Sequence, residues 1–112
     1  MPTDGDPKTN PIRQLLAIDR TVHEPARLAI LVLLTVVEKA DFLYLLDETG
    51  LSKGNLSSHT AKLEASGYIE VEKLFVEKIP RTIYRITKKG ETALAAYRHL
   101  ITETVTTRES PQ

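Results

Sequence analysis

The chain has 112 residues, with 15 basic and 15 acidic side chains and no cysteine. This length suits one domain with a modest core, and the absence of cysteine excludes disulfides and thiolate metal sites. The longest apolar run is about half of the ~20 residues that a membrane-spanning helix needs, and no secretory signal opens the chain, so we expect a cytoplasmic protein without membrane contact.

Residues 1–9 contain Pro, Gly and Asp without apolar periodicity, which predicts a disordered tail. Asn10 and Pro11 then favour the start of a short helix, with Asn as its cap and Pro in its first turn. Three apolar side chains share one side of this helix: Ile12, Leu15 and Leu16. That side could pack on the same domain or on a partner subunit.

A central helix is predicted from Pro25, in its first turn, to about Glu38. It is apolar nearly all round, which is typical of a helix at the centre of a fold that is covered on most sides. This helix should therefore form the core of the domain.

The next two helices predict a helix-turn-helix. Asp41 can cap the first of them, and Gly50 can end it in the left-handed conformation that a tight turn needs. Ser52 can cap the second helix, which runs to about Ser66. Two short helices joined by a Gly-containing turn are the signature of this motif, although any helical hairpin could show it.

The second helix of this motif has an unusual outward face. Its inward residues are Leu56, His59, Thr60 and Leu63. Its outward residues are small or hydrogen-bonding: Gly54, Asn55, Ser57, Ser58, Ala61 and Lys62. Such a face lets a helix enter a DNA groove and reach base edges and phosphates. A plain surface helix would leave Gly54 unexplained, because Gly costs ~1 kcal/mol relative to Ala there.

His59 is expected to be a partly buried histidine that satisfies a backbone carbonyl. The three histidines are scattered along the chain, and none has a second histidine three or four residues away. We therefore expect neither a metal site nor a cofactor.

After Gly67 the apolar period becomes two, which predicts a β-hairpin with strands around Val71 and Tyr84. A longer loop between them is expected to be stiffened by Pro80 and to present Lys78 and Arg81 to a minor groove, where Arg is favoured. Six basic residues and one acid lie between positions 73 and 89. Charge alone nevertheless favours, slightly, an ordinary solvated hairpin.

Thr87 can cap a last helix with an apolar stripe at helical spacing. The stripe consists of Leu94, Tyr97, Ile101 and Val105. We expect this stripe to be exposed and to form an oligomer interface with the N-terminal helix; both helices could also pack back on the domain. The predicted organisation is a tail at 1–9, a domain at 10–107 that includes both terminal helices, and a tail at 108–112.

Four stretches together resemble the small single-domain winged-helix transcriptional regulators of the MarR and ArsR groups. They are HEPARLAIL from His23, LSKGNLSSH from Leu51, LEASGYI from Leu63 and PRTIYRIT from Pro80. The resemblance covers about residues 11–103. It implies a mainly α fold with a small β-hairpin, a winged helix-turn-helix with added N- and C-terminal helices.

The resemblance also implies a homodimer that binds pseudo-palindromic double-stranded DNA, usually as a repressor. Its recognition-helix contacts map onto Ser52, Lys53, Asn55, Ser57, Ser58 and Lys62, and its wing contacts onto Lys78 and Arg81. The lysines and Arg81 are expected to set affinity, whereas Asn55, Ser57 and Ser58 are the candidates for base readout. Thr60 stands where the family usually has Leu, and the cysteine metal-sensing motif of many ArsR relatives is absent.

The dimer interface is assigned to the apolar residues of the two terminal helices: Ile12, Leu15, Leu16, Leu94, Tyr97, Ile101 and Val105. The main alternative function is a winged-helix protein-interaction module, which the zero net charge favours. A pocket for a small-molecule effector at the dimer interface would be an addition to the regulator. The residues offer no phosphate-binding loop, nucleophile arrangement or carboxylate pair, so an enzyme is not expected.

Overall fold

The computed structural model describes residues 10–105; the tails predicted at 1–9 and 108–112 lie outside this range. The elements in chain order are α1 (Pro11–Leu16), α2 (Pro25–Val37), β1 (Lys39–Asp41), α3 (Phe42–Thr49), α4 (Lys53–Ala65), β2 (Ile69–Val76), β3 (Ile79–Ile86) and α5 (Lys88–Val105). The mainly helical architecture with a small antiparallel hairpin is the predicted one.

The predicted helix starts are confirmed because each capping side chain binds a free backbone N–H of its helix. Asn10 Oδ1 accepts from Ile12 N at 3.0 Å, and Asp41 Oδ1 accepts from Tyr44 N at 2.8 Å. Similar bonds are made by Ser52 to Asn55 N and by Thr87 to Gly90 N. Gly50 ends α3 with φ at +70°, the left-handed conformation predicted for the turn.

The sheet has three antiparallel strands, in the order β1-β3-β2, and the sequence predicted only two of them. β1 pairs with β3 so that Ala40 lies opposite Tyr84, and both side chains are buried. Three residues are too few to show a period of two. The same stretch also ends in the cap of α3, which is why it was interpreted only as a helix start.

The core lies between α2, the two helices of the motif, α5 and one face of the sheet. From α2 it takes Ile30, Leu31 and Leu34, all fully buried. The expectation that this helix is covered on most sides is wrong, since Val32 and Val36 are 42% and 74% exposed. Its neighbours within the described chain pack on one side only, so the opposite apolar side faces outward.

A close contact fixes the start of α5 against the end of α4. The hydroxyl of Thr87 donates to the carbonyl of Gly67 at 2.6 Å, and the Thr87 N–H donates to the carbonyl of Tyr68 at 3.0 Å. A Cβ at Gly90 would lie 2.2 Å from that same Tyr68 oxygen. The approach of α5 to this backbone therefore requires glycine.

The segment between α1 and α2 is held by Asp19. Its carboxylate accepts hydrogen bonds from the Thr21 and Val22 N–H groups and from the hydroxyl of Tyr68. The bond from Tyr68 raises the pKa of its own hydroxyl to about 12, with smaller contributions from burial and from the charge of Asp19. This bond ties the segment before α2 to the start of the hairpin.

Candidate nucleic-acid interface

Helix α4 lies on the domain with the inner face that the sequence predicted. Leu56 and Leu63 are fully buried and Thr60 is 5% exposed. The hydroxyl of Thr60 donates to the Ser57 carbonyl within the helix at 3.2 Å. This bond satisfies the hydroxyl of Thr60 on the inner face, so Thr is accommodated where Leu is expected.

The opposite side of α4 is open to solvent over its whole length. All six residues assigned to DNA on this helix and its cap are exposed: Ser52, Lys53, Asn55, Ser57, Ser58 and Lys62. A Cβ added at Gly54 would have no atom of the described chain within 4 Å. Packing inside the protein therefore gives no reason for glycine at this position.

Ser52 has a structural role besides its assignment to DNA. Its hydroxyl oxygen accepts from the N–H of Asn55 at 3.1 Å and caps α4. Because a hydroxyl can donate while it accepts, the proton of Ser52 stays available for a phosphate. Because this cap fixes the start of α4, the polar side chains of its first turn extend from a defined position.

His59 has a different partner from the one expected. Its Nδ1 lies 3.1 Å from Nη1 of Arg27 and 3.8 Å from Oε1 of Glu24, rather than on a backbone carbonyl. Arg27 also donates from Nε to the carbonyl of Thr21 at 2.7 Å and from Nη2 to the carbonyl of Arg20 at 3.2 Å. Guanidinium only donates, so Nδ1 of His59 accepts, and α4 is fastened to α2.

The hairpin turn is tighter than the sequence indicated. The sequence predicts a longer loop that includes Lys78, Pro80 and Arg81, but the strands run on to Val76 and Ile79 and leave a two-residue turn. Glu77 and Lys78 both have positive φ, at 52° and 70°, as in a type I′ turn. The prediction failed because this turn is usually signalled by Asn and Gly, and because Pro80 favoured a loop.

The two wing residues assigned to DNA consequently lie in different places. Lys78 is at the exposed tip, whereas Arg81 is a strand residue opposite Leu74. The Nη1 of Arg81 lies 3.7 Å from Oδ2 of Asp41, and its side chain is 48% exposed. Pro80 stiffens a strand rather than a loop. The DNA contacts of both basic residues stay predictions.

One face of the hairpin is turned toward α4. Val71, Lys73, Thr82 and Tyr84 line a cleft of about 310 Å³ together with residues of α4 that include Ser57. We call this the α4-side face. Since side chains alternate along a strand, Glu72, Leu74, Arg81 and Arg85 lie on the opposite face, where Arg85 and Glu72 form an ion pair at 3.0 Å.

Lys73 is a candidate contact that the sequence did not single out. It is exposed and lies beside Ser57 and Ala61 of α4, in the cleft between this helix and the hairpin. The available indication was its place in the alternating set of Ile69 and Val71, where a lysine interrupts apolar residues.

The residues assigned to a dimer interface divide into two groups. Ile12, Leu16 and Val105 are 62–71% exposed, and Leu15 and Ile101 are half-buried. The other two face their own chain, which corrects the prediction of one exposed stripe. Leu94 is 3% exposed and belongs to the core, and the half-buried Tyr97 packs against the core with its hydroxyl 3.0 Å from Nδ1 of His23.

Two further properties concern the described residues only. Histidine and carboxylate side chains do not gather there in groups of three that could hold a metal ion. The helices among these residues are also too short or too polar to cross a membrane.

A family model for the winged helix DNA-binding domain matches residues 26–105. The chain belongs to the winged helix DNA-binding domain family. It is also 39% identical over 71 residues to an uncharacterized protein of Methanocaldococcus jannaschii, a match that covers 63% of this chain and 77% of that protein.

Solved structures agree with this winged helix assignment. A transcriptional regulator homologue from Pyrococcus horikoshii is 25% identical, with a TM-score of 0.78, over 86% of this chain and 94% of that one. A putative regulator from Salmonella typhimurium is 24% identical, with a TM-score of 0.62, over 88% of both chains. A PadR family regulator from Eggerthella lenta is 20% identical, with a TM-score of 0.56, over 85% of this chain and 92% of that one.

The family assignment confirms two predictions. The winged helix-turn-helix fold is confirmed. The family model spans α3, α4 and the hairpin, and the structures from Salmonella typhimurium and Eggerthella lenta share the fold. The prediction that the chain is not an enzyme is confirmed because it is homologous to transcriptional regulator families. Placement within the MarR or ArsR groups stays a prediction.

Proposed function

We propose that this protein is a cytoplasmic, sequence-specific regulator of transcription, a repressor that binds duplex DNA as a homodimer. Helix α4 would enter the major groove, and the hairpin would act as the wing beside it. The observation that carries the proposal is the outer side of α4. Apart from the exposed Glu64 at the edge of the cleft, it exposes only small or hydrogen-bonding side chains and two lysines, and it leaves open space at Gly54.

The geometry supports a division of roles on this side. Asn55, Ser57 and Ser58 can donate and accept at base edges, whereas Lys53 and Lys62 supply charge for phosphates. Lys78 at the tip would add a contact beyond the groove. The acids Glu70 and Glu72 do not oppose this arrangement, because they lie on a different side of the hairpin from the one turned to α4, although Glu64 of α4 lines the cleft itself.

Dimerisation is supported by the apolar residues that the chain leaves uncovered on its terminal helices. Ile12, Leu16 and Val105 remain exposed although α1 and α5 already pack on the domain. A two-fold dimer built through these helices would read two half-sites about one helical turn apart, roughly 34 Å. The expected target is therefore a pseudo-palindrome.

The test begins with selection of bound duplexes from a random library, followed by titration of the best sequence at several salt concentrations. Lys53→Ala should lower affinity on every duplex and reduce the salt slope by about 1. Asn55→Ala should change the preferred base at one position of each half-site. Lys39→Ala is the matched control, since Lys39 is exposed beside Arg85 and Glu91, away from α4.

The alternative function, a winged-helix protein-interaction module, is favoured by the zero net charge and by the uncovered Val32 and Val36 on α2. The same titration separates the two functions. Absence of DNA binding at low salt would exclude the regulator, whereas an affinity that falls steeply with salt would exclude the module. Equal effects of the Lys53 and Asn55 substitutions on all duplexes would contradict the division of roles.

A further inference from the structure

His59 brings a titratable ring to the inner side of α4. Its Nδ1 lies 3.1 Å from Nη1 of Arg27 and 3.8 Å from Oε1 of Glu24. Arg27 belongs to α2, and Glu24 is the N-cap of the same helix. One nitrogen of the ring therefore has a cation and an anion as neighbours. Histidine is the side chain whose charge ordinarily changes between pH 5 and 8, so the ring can meet these neighbours in two different states.

The neutral ring is suited to Arg27. A guanidinium can only donate hydrogen bonds, so Nδ1 of His59 accepts from it and the proton of the neutral ring is on Nε2. Oε1 of Glu24 meanwhile accepts from the Arg27 N–H at 2.8 Å and caps α2. Its separation of 3.8 Å from Nδ1 is too long for a hydrogen bond. In this state α4 is fastened to α2 through the guanidinium.

A proton on Nδ1 reverses this preference. Nδ1 then donates, so it can no longer accept from Arg27, and two positive charges face each other across the 3.1 Å contact. Glu24 offers an acceptor, because a carboxylate has about four lone-pair sites and can keep its bond to the Arg27 N–H. Closing the 3.8 Å separation to the roughly 2.8 Å of a charge-assisted bond takes a movement of about 1 Å.

Glu24 stays ionised over the range in which histidine titrates. The hydrogen bond from the Arg27 N–H lowers the pKa of Glu24 below its ordinary value, against a smaller opposing effect of burial. The carboxylate is therefore still charged when the pH falls to about 5.5. The side chains of His59 and Glu24 are 19% and 31% exposed, so solvent screens their attraction only in part.

The remaining surroundings of the ring are mostly uncharged. It borders an open cleft of about 440 Å³, and in the described chain the lining of this cleft holds no titratable side chain other than Glu24 and His59 itself. On α4, Lys62 lies three residues further on and is exposed. Before α2, His23 is turned to α5, with its Nδ1 3.0 Å from the hydroxyl of Tyr97. Protonation of the ring therefore acts mainly on the two neighbours of Nδ1.

We propose that protonation of His59 exchanges its partner Arg27 for the carboxylate of Glu24 and thereby loosens the hold of α2 on α4. Arg27 keeps its bonds to the carbonyls of Thr21 and Arg20, so it stays in place and the cationic ring moves away from it. The ring is carried by α4, whose outer side bears the residues assigned to DNA. The effect on DNA affinity rests on the proposed function, whereas the exchange of partners belongs to the free protein.

The exchange is tested on the free protein by NMR spectroscopy between pH 8 and 5. In the native protein the side-chain N–H signals of Arg27 should shift as the ring of His59 titrates. His59→Asn is the matched variant, because its amide oxygen can accept from Arg27 in place of Nδ1 and does not titrate. Its Arg27 signals should stay constant. Glu24→Gln keeps an oxygen for the cap but loses the charge, so the shift should then need a more acidic pH.

The consequence for DNA is measured by fluorescence anisotropy on the selected duplex at constant ionic strength. The affinity of the native protein should fall about fivefold or more between pH 8 and 5.5, the lower end of typical coupling between sites. His59→Asn should show no such fall. His99→Asn is the control, because His99 is exposed on α5 and this variant should lose affinity like the native protein.

The direction of the change separates this effect from simple charge. Added positive charge alone would strengthen DNA binding at acidic pH, whereas the exchange weakens it. Circular dichroism at pH 8 and 5.5 should show equal helix content, because only the seating of α4 changes.

Three results would contradict the exchange or its effect. Arg27 signals that stay constant while His59 titrates would overturn the exchange, whether or not the protein binds DNA. An affinity that rises or stays constant down to pH 5.5 would overturn the loosened hold on α4. An equal fall in His59→Asn would assign the pH dependence to another group. If the native protein binds no duplex at pH 8 and low salt, the proposed function fails, and the NMR titration still decides the exchange.

Discussion

Nη1 of Arg27 lies 3.1 Å from Nδ1 of His59 and connects the central helix α2 to α4. The same guanidinium donates to the backbone carbonyls of Thr21 and Arg20. One side chain thus fixes both the segment before α2 and the inner side of α4. The orientation of the proposed DNA-binding helix depends on this group.

Arg27→Met should lower the free energy of unfolding by about 2–3 kcal/mol, because three acceptors lose a charged donor. Urea unfolding followed by circular dichroism measures the change. Arg20→Met is the control, since Arg20 is exposed and should change stability by less than about 0.5 kcal/mol. Equal effects of the two substitutions would contradict the role of Arg27.

Gly90 and Gly54 are both helical glycines, and alanine should act on them in opposite directions. Gly90→Ala should destabilise the protein by about 1–3 kcal/mol or more, since its Cβ would lie 2.2 Å from the carbonyl of Tyr68. Gly54→Ala meets open space and should stabilise it by about 1 kcal/mol. Thermal unfolding of both variants tests this contrast.

Gly54→Ala has a second expected effect, on DNA. If the backbone of α4 approaches the floor of the groove, the added methyl group should weaken binding while it stabilises the free protein. Anisotropy titration on the selected duplex measures this. An alanine variant that is more stable and binds as tightly as the native protein would show that the backbone does not come close at this position.

Tyr68 should make stability depend on alkaline pH. Its hydrogen bond to Asp19 raises the pKa of Tyr68 from 10.0 to about 12. Because the pKa is raised in the folded state, the contribution of this hydrogen bond to stability is fully present below pH 10 and is lost as the pH rises toward 12. Unfolding free energies measured from pH 9 to 12 should therefore converge for the native protein and Tyr68→Phe. A constant difference would contradict the bond.

Glu24 should make the stability of the protein depend on acidic pH. The hydrogen bond from the Arg27 N–H lowers the pKa of Glu24 from 4.5, against a smaller opposing effect of burial. The stability that this hydrogen bond contributes is present above pH 4.5 and is lost as the pH falls through the lowered pKa of Glu24. The stability difference between the native protein and Glu24→Gln should shrink as the pH falls below 4.5.

The candidate site was predictable from sequence where local chemistry decides it. Ser52 had to cap α4, and Leu56 and Leu63 at helical spacing had to face inward, so the opposite polar side was known before the fold. Arg81 and Lys73 could not be placed in this way. Their positions depend on the length of the hairpin turn and on which face of the hairpin meets α4. No local sequence signal gives either property, and Pro80 favours a loop where the structure has a strand.

Hydrogen bonds and periodicities within a few residues set the order of the helices, their caps, the glycine turn and the polar outer side of α4, so these features were predictable from the chain alone. Packing was needed to place β1 in the sheet, to bury Leu94 but not Val36, and to bring Arg27 to His59. These relations join residues distant in sequence. They depend on which faces come together when the chain packs, and apolar patterning shows only that a face can be buried, not what covers it.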